Sequence, residues 1–181
     1  MFENLRDHWI THERDPRRQG LWVLVVYRYG RWRYRIRPKF LRLPFSFVYH
    51  VLKLASQILT GIDLPCEVTI GKGFRIEHFG DIIISGDTVF GDDVTIRNGV
   101  TVGLRRTGVR GAPVIGNRVD IGAGAKVLGN IRIGDDVAIG ANAVVLTDVP
   151  PMSIAVGVPA QIRPRKVIQE DGAQAESRRD S

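Results

Sequence analysis

The chain is poor in the residues that would announce a function at once. It has one cysteine, Cys66, two methionines and four histidines in 181 residues. A single cysteine excludes an internal disulfide framework and suits a reducing compartment. No stretch reaches the ~18–20 uninterrupted apolar residues of a membrane-spanning helix. The longest candidate, 40–62, is broken by Arg42, Pro44, His50 and Lys53. Residues 1–20 are polar and charged, without the apolar centre of a signal peptide, so a cytoplasmic protein is expected. The phosphate-cradling pattern GxxxxGK[ST] is absent.

Acidic residues are also scarce, and the net charge is +7. The excess is uneven: Arg28, Arg31, Arg33, Arg35, Arg37, Lys39 and Arg42 carry much of it. A basic protein invites a nucleic-acid reading, but no nucleic-acid-binding motif accompanies the charge, so no nucleic-acid partner is expected.

What the chain does have is rhythm. From Ile70 to about Val156 an aliphatic residue, once a phenylalanine, returns every six positions. One phase runs Ile84, Phe90, Ile96, Val102, and another runs Ile115, Ile121, Val127, Ile133, Ile139, Val145. A small or β-branched residue follows four places on, as at Thr88, Val94, Val100, Val119, Ala125, Val137 and Ala143. A period of six matches neither a helix nor a lone strand. It matches short strands joined by tight corners, each sending a large side chain inward, which is the signature of a parallel β-helix. Three hexads per coil would stack residues about 18 apart.

The rhythm slips twice. Ile70, Ile76 and Ile82 read as one phase, and Ile84 opens the next. Gly103–Val114 then interrupts with three arginines, three glycines and a proline, and reads as a loop thrown out from a corner. Three regions result: an N-terminal basic and aromatic helical segment over 1–61, the solenoid over 62–162, and a tail over 163–181 expected to be disordered. Within the first region, helices are expected at about 21–35 and 44–60. In the second, Val48, Val51, Leu52, Ala55 and Leu59 share a face expected to cap the open end of the solenoid. A competing reading gives residues 21–60 peripheral membrane contact.

Few side chains are placed for chemistry. His78 is the only histidine in the repeats, so one chain's repeats offer no three-histidine zinc site and no metal is expected. His78 lies close to the first slip, and histidine is the side chain best suited to take a proton near neutral pH. Such a base needs an orienting carboxylate, for which Asp63, Glu77 and Asp81 are the candidates. Cys66 has no basic partner at a telling spacing and reads as a small buried residue.

The stretch VDIGAGAKVLGNIRIGDDVAIGANAVVLTDVPP, with AVGVPAQI after it, resembles the hexapeptide-repeat acyltransferases and serine acetyltransferase in particular. The resemblance covers about Gly61 to Ile162. It implies a mainly β, left-handed parallel β-helix with a short N-terminal helical segment. It also implies acetyl-CoA as donor and a homotrimer with active sites between subunits. In the family an aspartate followed fifteen residues later by a histidine carries the chemistry, which makes His78 the general base and Asp63 its orienting carboxylate. Glu77 would face the acceptor. Gly103, Ala123 and Ala141 would contact the coenzyme, and the tail after Gly157-Val158-Pro159 would close over it, with Arg163 near its phosphates.

Where the family carries an arginine and a histidine to hold an amino-acid carboxylate, this chain has Arg110, Gly111, Ala112 and Pro113. Arg105, Arg106 or Arg110 would have to compensate, and loose charge does not replace a fixed bidentate clamp. The resemblance therefore leads to the exopolysaccharide-associated members and to a sugar hydroxyl as acceptor. Serine acetylation in cysteine synthesis is the alternative, and a non-catalytic solenoid scaffold is the second.

Overall fold

The computed structural model describes residues 19–106, 108–109 and 111–165. Two helices come first, α1 at Gln19–Arg33 and α2 at Arg42–Thr60, joined through a 3₁₀ turn at Lys39–Leu41. Gly61 ends α2 in the left-handed region, where a side chain would meet the Asp81 nitrogen at 3.1 Å. The chain then winds into three faces of short strands. The first holds β1 (Ile62–Asp63), β4 (Ile82–Ile84), β7 (Thr101–Gly103), β10 (Lys126–Leu128) and β13 (Val144–Val145). The second holds β2 (Thr69–Ile70), β5 (Val89–Phe90), β8 (Val114–Ile115) and β11 (Arg132–Ile133). The third holds β3 (Arg75–Glu77), β6 (Thr95–Arg97), β9 (Asp120–Ile121), β12 (Ala138–Ile139), β14 (Ser153–Val156) and β15 (Gln161–Pro164). Every pairing between coils is parallel; only β15 turns back, antiparallel to β14.

The six-residue rhythm is the inward column. Ile84, Phe90, Ile96, Val102, Ile115, Ile121, Val127, Ile133, Ile139 and Val145 are all buried, as are the small residues four places after them. The core is continuous from coil to coil, and Phe74 meets Phe90 edge-on at 5.0 Å.

Register locates the slips. Where the rhythm is unbroken, strands pair eighteen residues apart, as Ile84 with Val102 and Lys126 with Val144. In the first coil the offset is twenty: Ile62 with Ile82, Thr69 with Val89, Glu77 with Arg97. Glu77 is still in the long register and Ile83, paired with Thr101, is in the short one, so two extra residues lie between them. Ile82 therefore does not extend the phase of Ile70 and Ile76. It sits in the column of the small residue Val100, because the amide of Ile83 donates to the Val100 carbonyl. The second slip adds seven residues between Gly103, paired with Leu128, and Val114, paired with Arg132. A third escaped the sequence reading: Ile139 pairs with Ala155 and Ile133 bridges to Val149, so the last coil is two residues short.

The cap is built the other way round from expectation. Val23, Leu24 and Tyr27 of α1 are buried in the core shared with the first coil, and the Tyr27 hydroxyl donates to the Val68 carbonyl at 2.7 Å. From α2 only Tyr49 and Thr60 are buried, while Val48, Val51, Leu52 and Leu59 are exposed. Helix α1 wins the position because its small Gly30 allows close approach: a methyl there would meet the Tyr49 ring at 2.5 Å and Cys66 Cβ at 2.6 Å. Beneath it the buried Arg33 guanidinium lies over the Tyr34 and Tyr49 rings at 4.7 and 4.3 Å and donates to Cys66 Sγ. Cys66 is buried, as read from the sequence.

At the other end, the expected disordered tail does not begin at 163. Arg163 and Pro164 belong to β15, paired with Ile154 and Ser153, and the Arg165 amide donates to the Met152 carbonyl. Backbone bonds to the last coil explain the order. Residues 166–181, and with them most of that tail, lie outside the described residues.

Replacing Gly30 with alanine should lower the melting temperature by roughly 2–8 °C, because overpacking at the Tyr49–Cys66 contact outweighs the gain in helix propensity. A thermal melt that is unchanged or raised would contradict this packing.

Candidate active site

The two extra residues of the first coil emerge at the corner between the third and first faces. Here His78, Gly80 and Asp81 all have positive φ, at 61°, 110° and 52°. A left-handed histidine is uncommon and is held only where surrounding structure fixes it. The fixing bonds are backbone ones: Gly99 donates to the Gly80 carbonyl and Ile82 to the Gly61 carbonyl. The corner therefore bulges. His78 and Phe79 are both exposed, and a side chain at Gly80 would meet nothing within 4 Å. Among the described residues, none bonds the His78 imidazole.

The same corner continues down the solenoid. Gly124 donates to the Asn98 carbonyl, and Asn142 to the Ala123 carbonyl. Ala123 and Ala141 thus stack on adjacent coils in the column that Gly80 and Asn98 begin, two residues on from His78. The side chains of this strip are short: the Ala123 and Ala141 methyls and Gly124, with Asn98 above and the Asn142 amide against Gly124. Gly103 is placed elsewhere. It ends β7 at the opposite edge of the first face, with Ser85 Cβ 3.2 Å from where its own Cβ would be. Arg163 lies on β15, exposed, with Nη2 3.4 Å from Gln161 Oε1.

Asp63, on β1, starts the outward column of the first face, next to exposed Ile83. It reaches the same end of the solenoid as His78, but no hydrogen bond joins the two. Its nearest cation is Lys53 of α2, with Nζ 3.2 Å from Oδ1. That oxygen is buried and accepts no aligned hydrogen bond, so it retains capacity for a donor. Glu77 is engaged within the chain: Arg97 lies 3.2 Å and Arg75 3.5 Å from its carboxylate. Arg97 also binds Asp120, and that hydrogen bond, with the neighbouring Glu77 charge, raises its guanidinium above the usual value. Asp81 has the left-handed backbone of the corner and no ion pair among the described residues.

The seven-residue insertion leaves the corner between the first and second faces, so Arg105 and Arg106 stand across the first face from His78 in the same chain. Both are exposed, and Arg105 lies over Gly129. Ala112 and Pro113 are buried and Gly111 is wedged against Asn130, so this return stretch offers no cation. Arg110 lies outside the described residues. No group of three or more metal-ligating side chains occurs among the described residues.

The repeats have known relatives. Residues 112–147 match the family model described as bacterial transferase hexapeptide (six repeats). Serine acetyltransferase of Helicobacter pylori (strain J99) is 43% identical over 153 residues, covering 82% of this chain and 90% of the relative. The chain belongs to the serine acetyltransferase family. It is an acyltransferase, so the scaffold reading falls. Among solved structures, serine acetyltransferase from Brucella abortus in complex with coenzyme A superposes with a TM-score of 0.79 at 28% identity, covering 92% of this chain and 68% of that one. The Neisseria gonorrhoeae family member in complex with serine gives 0.73 at 28% identity, covering 90% and 68%. These relatives give the exopolysaccharide-associated subtype no support.

Sequence reasoning missed Lys53. Its one signal was position: it is the only Lys or Arg between Arg42 and Asp63.

His78→Ala should lower kcat by ~10²–10⁴-fold while leaving coenzyme binding and the melting temperature nearly unchanged. Asp63→Asn should lower kcat without unfolding the chain. Steady-state kinetics and calorimetry check both, and full activity in either variant removes that residue from the mechanism.

Proposed function

We propose that this chain transfers an acetyl group from acetyl-CoA to the hydroxyl of serine. The observation that carries the reading is the 43% identity across nine-tenths of a serine acetyltransferase, with an exposed histidine held out at the break of the first coil. His78 takes the hydroxyl proton as that oxygen attacks the thioester carbonyl. The carbon–sulfur bond breaks, and the proton passes to the departing coenzyme thiolate. Asp63 fixes the imidazole and stabilises its cationic form, with Lys53 holding the carboxylate in place. The strip of Ala123 and Ala141 suits the extended thioester arm, and Arg163 the coenzyme's phosphates.

Completion of the site requires a neighbour. Within one chain the first face separates His78 from Gly103, Arg105 and Arg106. A homotrimer would bring the insertion corner of one copy beside the His78 corner of the next, so that each site lies between two subunits. Glu77 and the arginines Arg105, Arg106 and Arg110 then meet the acceptor.

A second reading keeps the same chemistry with a saccharide hydroxyl as acceptor. The observation favouring it is the buried Ala112-Pro113 stretch, which cannot clamp an amino-acid carboxylate.

Coenzyme thiol release, measured with serine and with nucleotide sugars or oligosaccharides, separates the two. The serine reading predicts turnover with serine at least roughly tenfold above every sugar at equal concentration, a difference of ~1.4 kcal/mol in transition-state binding. Turnover confined to a saccharide would overturn it.

A further inference from the structure

Helix α2 presents its faces in an unusual sense. Its polar side is turned toward its own chain: Tyr49 and Thr60 are buried and Lys53 reaches Asp63. Its apolar side is turned away. Phe47, Val51, Leu54 and Ile58 form one stripe at helical spacing, with Phe47 and Ile58 more than 70% exposed. An adjoining stripe runs from Val48 to Leu59, also exposed. A contiguous exposed apolar face of this kind marks an interaction surface.

Charge indicates what covers it. From Gln19 to Ile62 there are eight Lys and Arg and no Asp or Glu. Beside the helix lies a pocket of about 330 Å³ lined by Arg28, Arg31, Arg35, Trp32 and Tyr34, together with Cys66 and Glu67. Its one acid, Glu67, is already engaged: the Tyr34 hydroxyl donates to it at 2.9 Å. Burial alone would raise the Glu67 pKa, but that hydrogen bond and the neighbouring Cys66 and Arg33 leave it lowered, so it stays a filled carboxylate. The pocket is continuous with the apolar side, because Trp32 meets Phe45 of α2 edge-on at 5.6 Å.

We propose that α1 and α2 dock the enzyme on an anionic phospholipid surface. The apolar arc of α2 enters the boundary between headgroups and acyl chains, and the arginine pocket receives a lipid phosphate. No helix among the described residues is long and apolar enough to cross a membrane, so the segment lies on the surface. A second copy fits less well as the occupant, since two such faces would bring like charges together.

Co-sedimentation of the full chain with vesicles tests this. Vesicles of phosphatidylglycerol and phosphatidylcholine should bind the protein, and phosphatidylcholine alone should bind roughly tenfold less. Binding should weaken strongly at about 0.5 M salt. Phe47→Ser with Ile58→Ser, and separately Arg35→Glu, should each lower binding several-fold. Acetyl transfer to a soluble acceptor should be unchanged in both variants, which keeps this test separate from the acceptor assignment. Three results would overturn the proposal: no preference for anionic vesicles, full competition by inorganic phosphate at millimolar concentration, or a smaller native mass for the Phe47/Ile58 variant in light scattering. The last would show instead that copies of this chain cover the face.

Discussion

Each coil hangs on the one before it through backbone hydrogen bonds, eighteen residues apart wherever the rhythm is unbroken, and the rest of the molecule follows from that spacing. A strand of two or three residues has little stability alone. It persists because its neighbours above and below fix its register, and because a slip of one residue would turn its aliphatic side chains out to water. Residues in excess of eighteen cannot be absorbed along a face. They are expelled at corners, where glycines and left-handed residues let the chain leave and return. His78 stands out from the wall because Phe79 and Gly80 lengthen its coil. The Gly103–Val114 insertion stands out at the next corner for the same reason.

The constraint also shapes the ends. A first coil needs a partner for its upper strands and its core, and α1 supplies one with Leu24 and Tyr27 in the shared core and the Tyr27 hydroxyl on the Val68 carbonyl. That leaves α2 as an outer layer whose polar side meets the protein, tying its Lys53 to Asp63 beside the site. One helix, α2, thus touches the candidate-site end through Lys53 and carries the apolar outer surface, while α1 supplies most of the adjoining arginines.

The solenoid, its inward columns and its two insertions were legible in the sequence because a six-residue period has few structural solutions. The exact place of the first slip was not, since Ile82 fits either phase by type and only pairing with Ile62 and the offset of Ile83 decide it. Which helix caps the coil was hidden for a similar reason. Both helices carry apolar faces, and the choice rests on a close approach at Gly30 that composition does not reveal. His78 was singled out as a candidate from its position beside the break, whereas its φ of 61° and open surroundings required coordinates. The sugar acceptor was inferred from two missing side chains, and relatives across most of the chain outweigh it.

Removing Phe79 and Gly80 tests most directly whether the coil's excess length makes the site. The deletion restores eighteen residues to the first coil and keeps His78, which would then lie over Asn98 with Asp81 in the left-handed place of Gly99. The account predicts a folded protein that melts within about 5 °C of the parent and still binds coenzyme, with kcat at least ~100-fold lower. A deletion variant that folds and turns over within tenfold of the parent would contradict it.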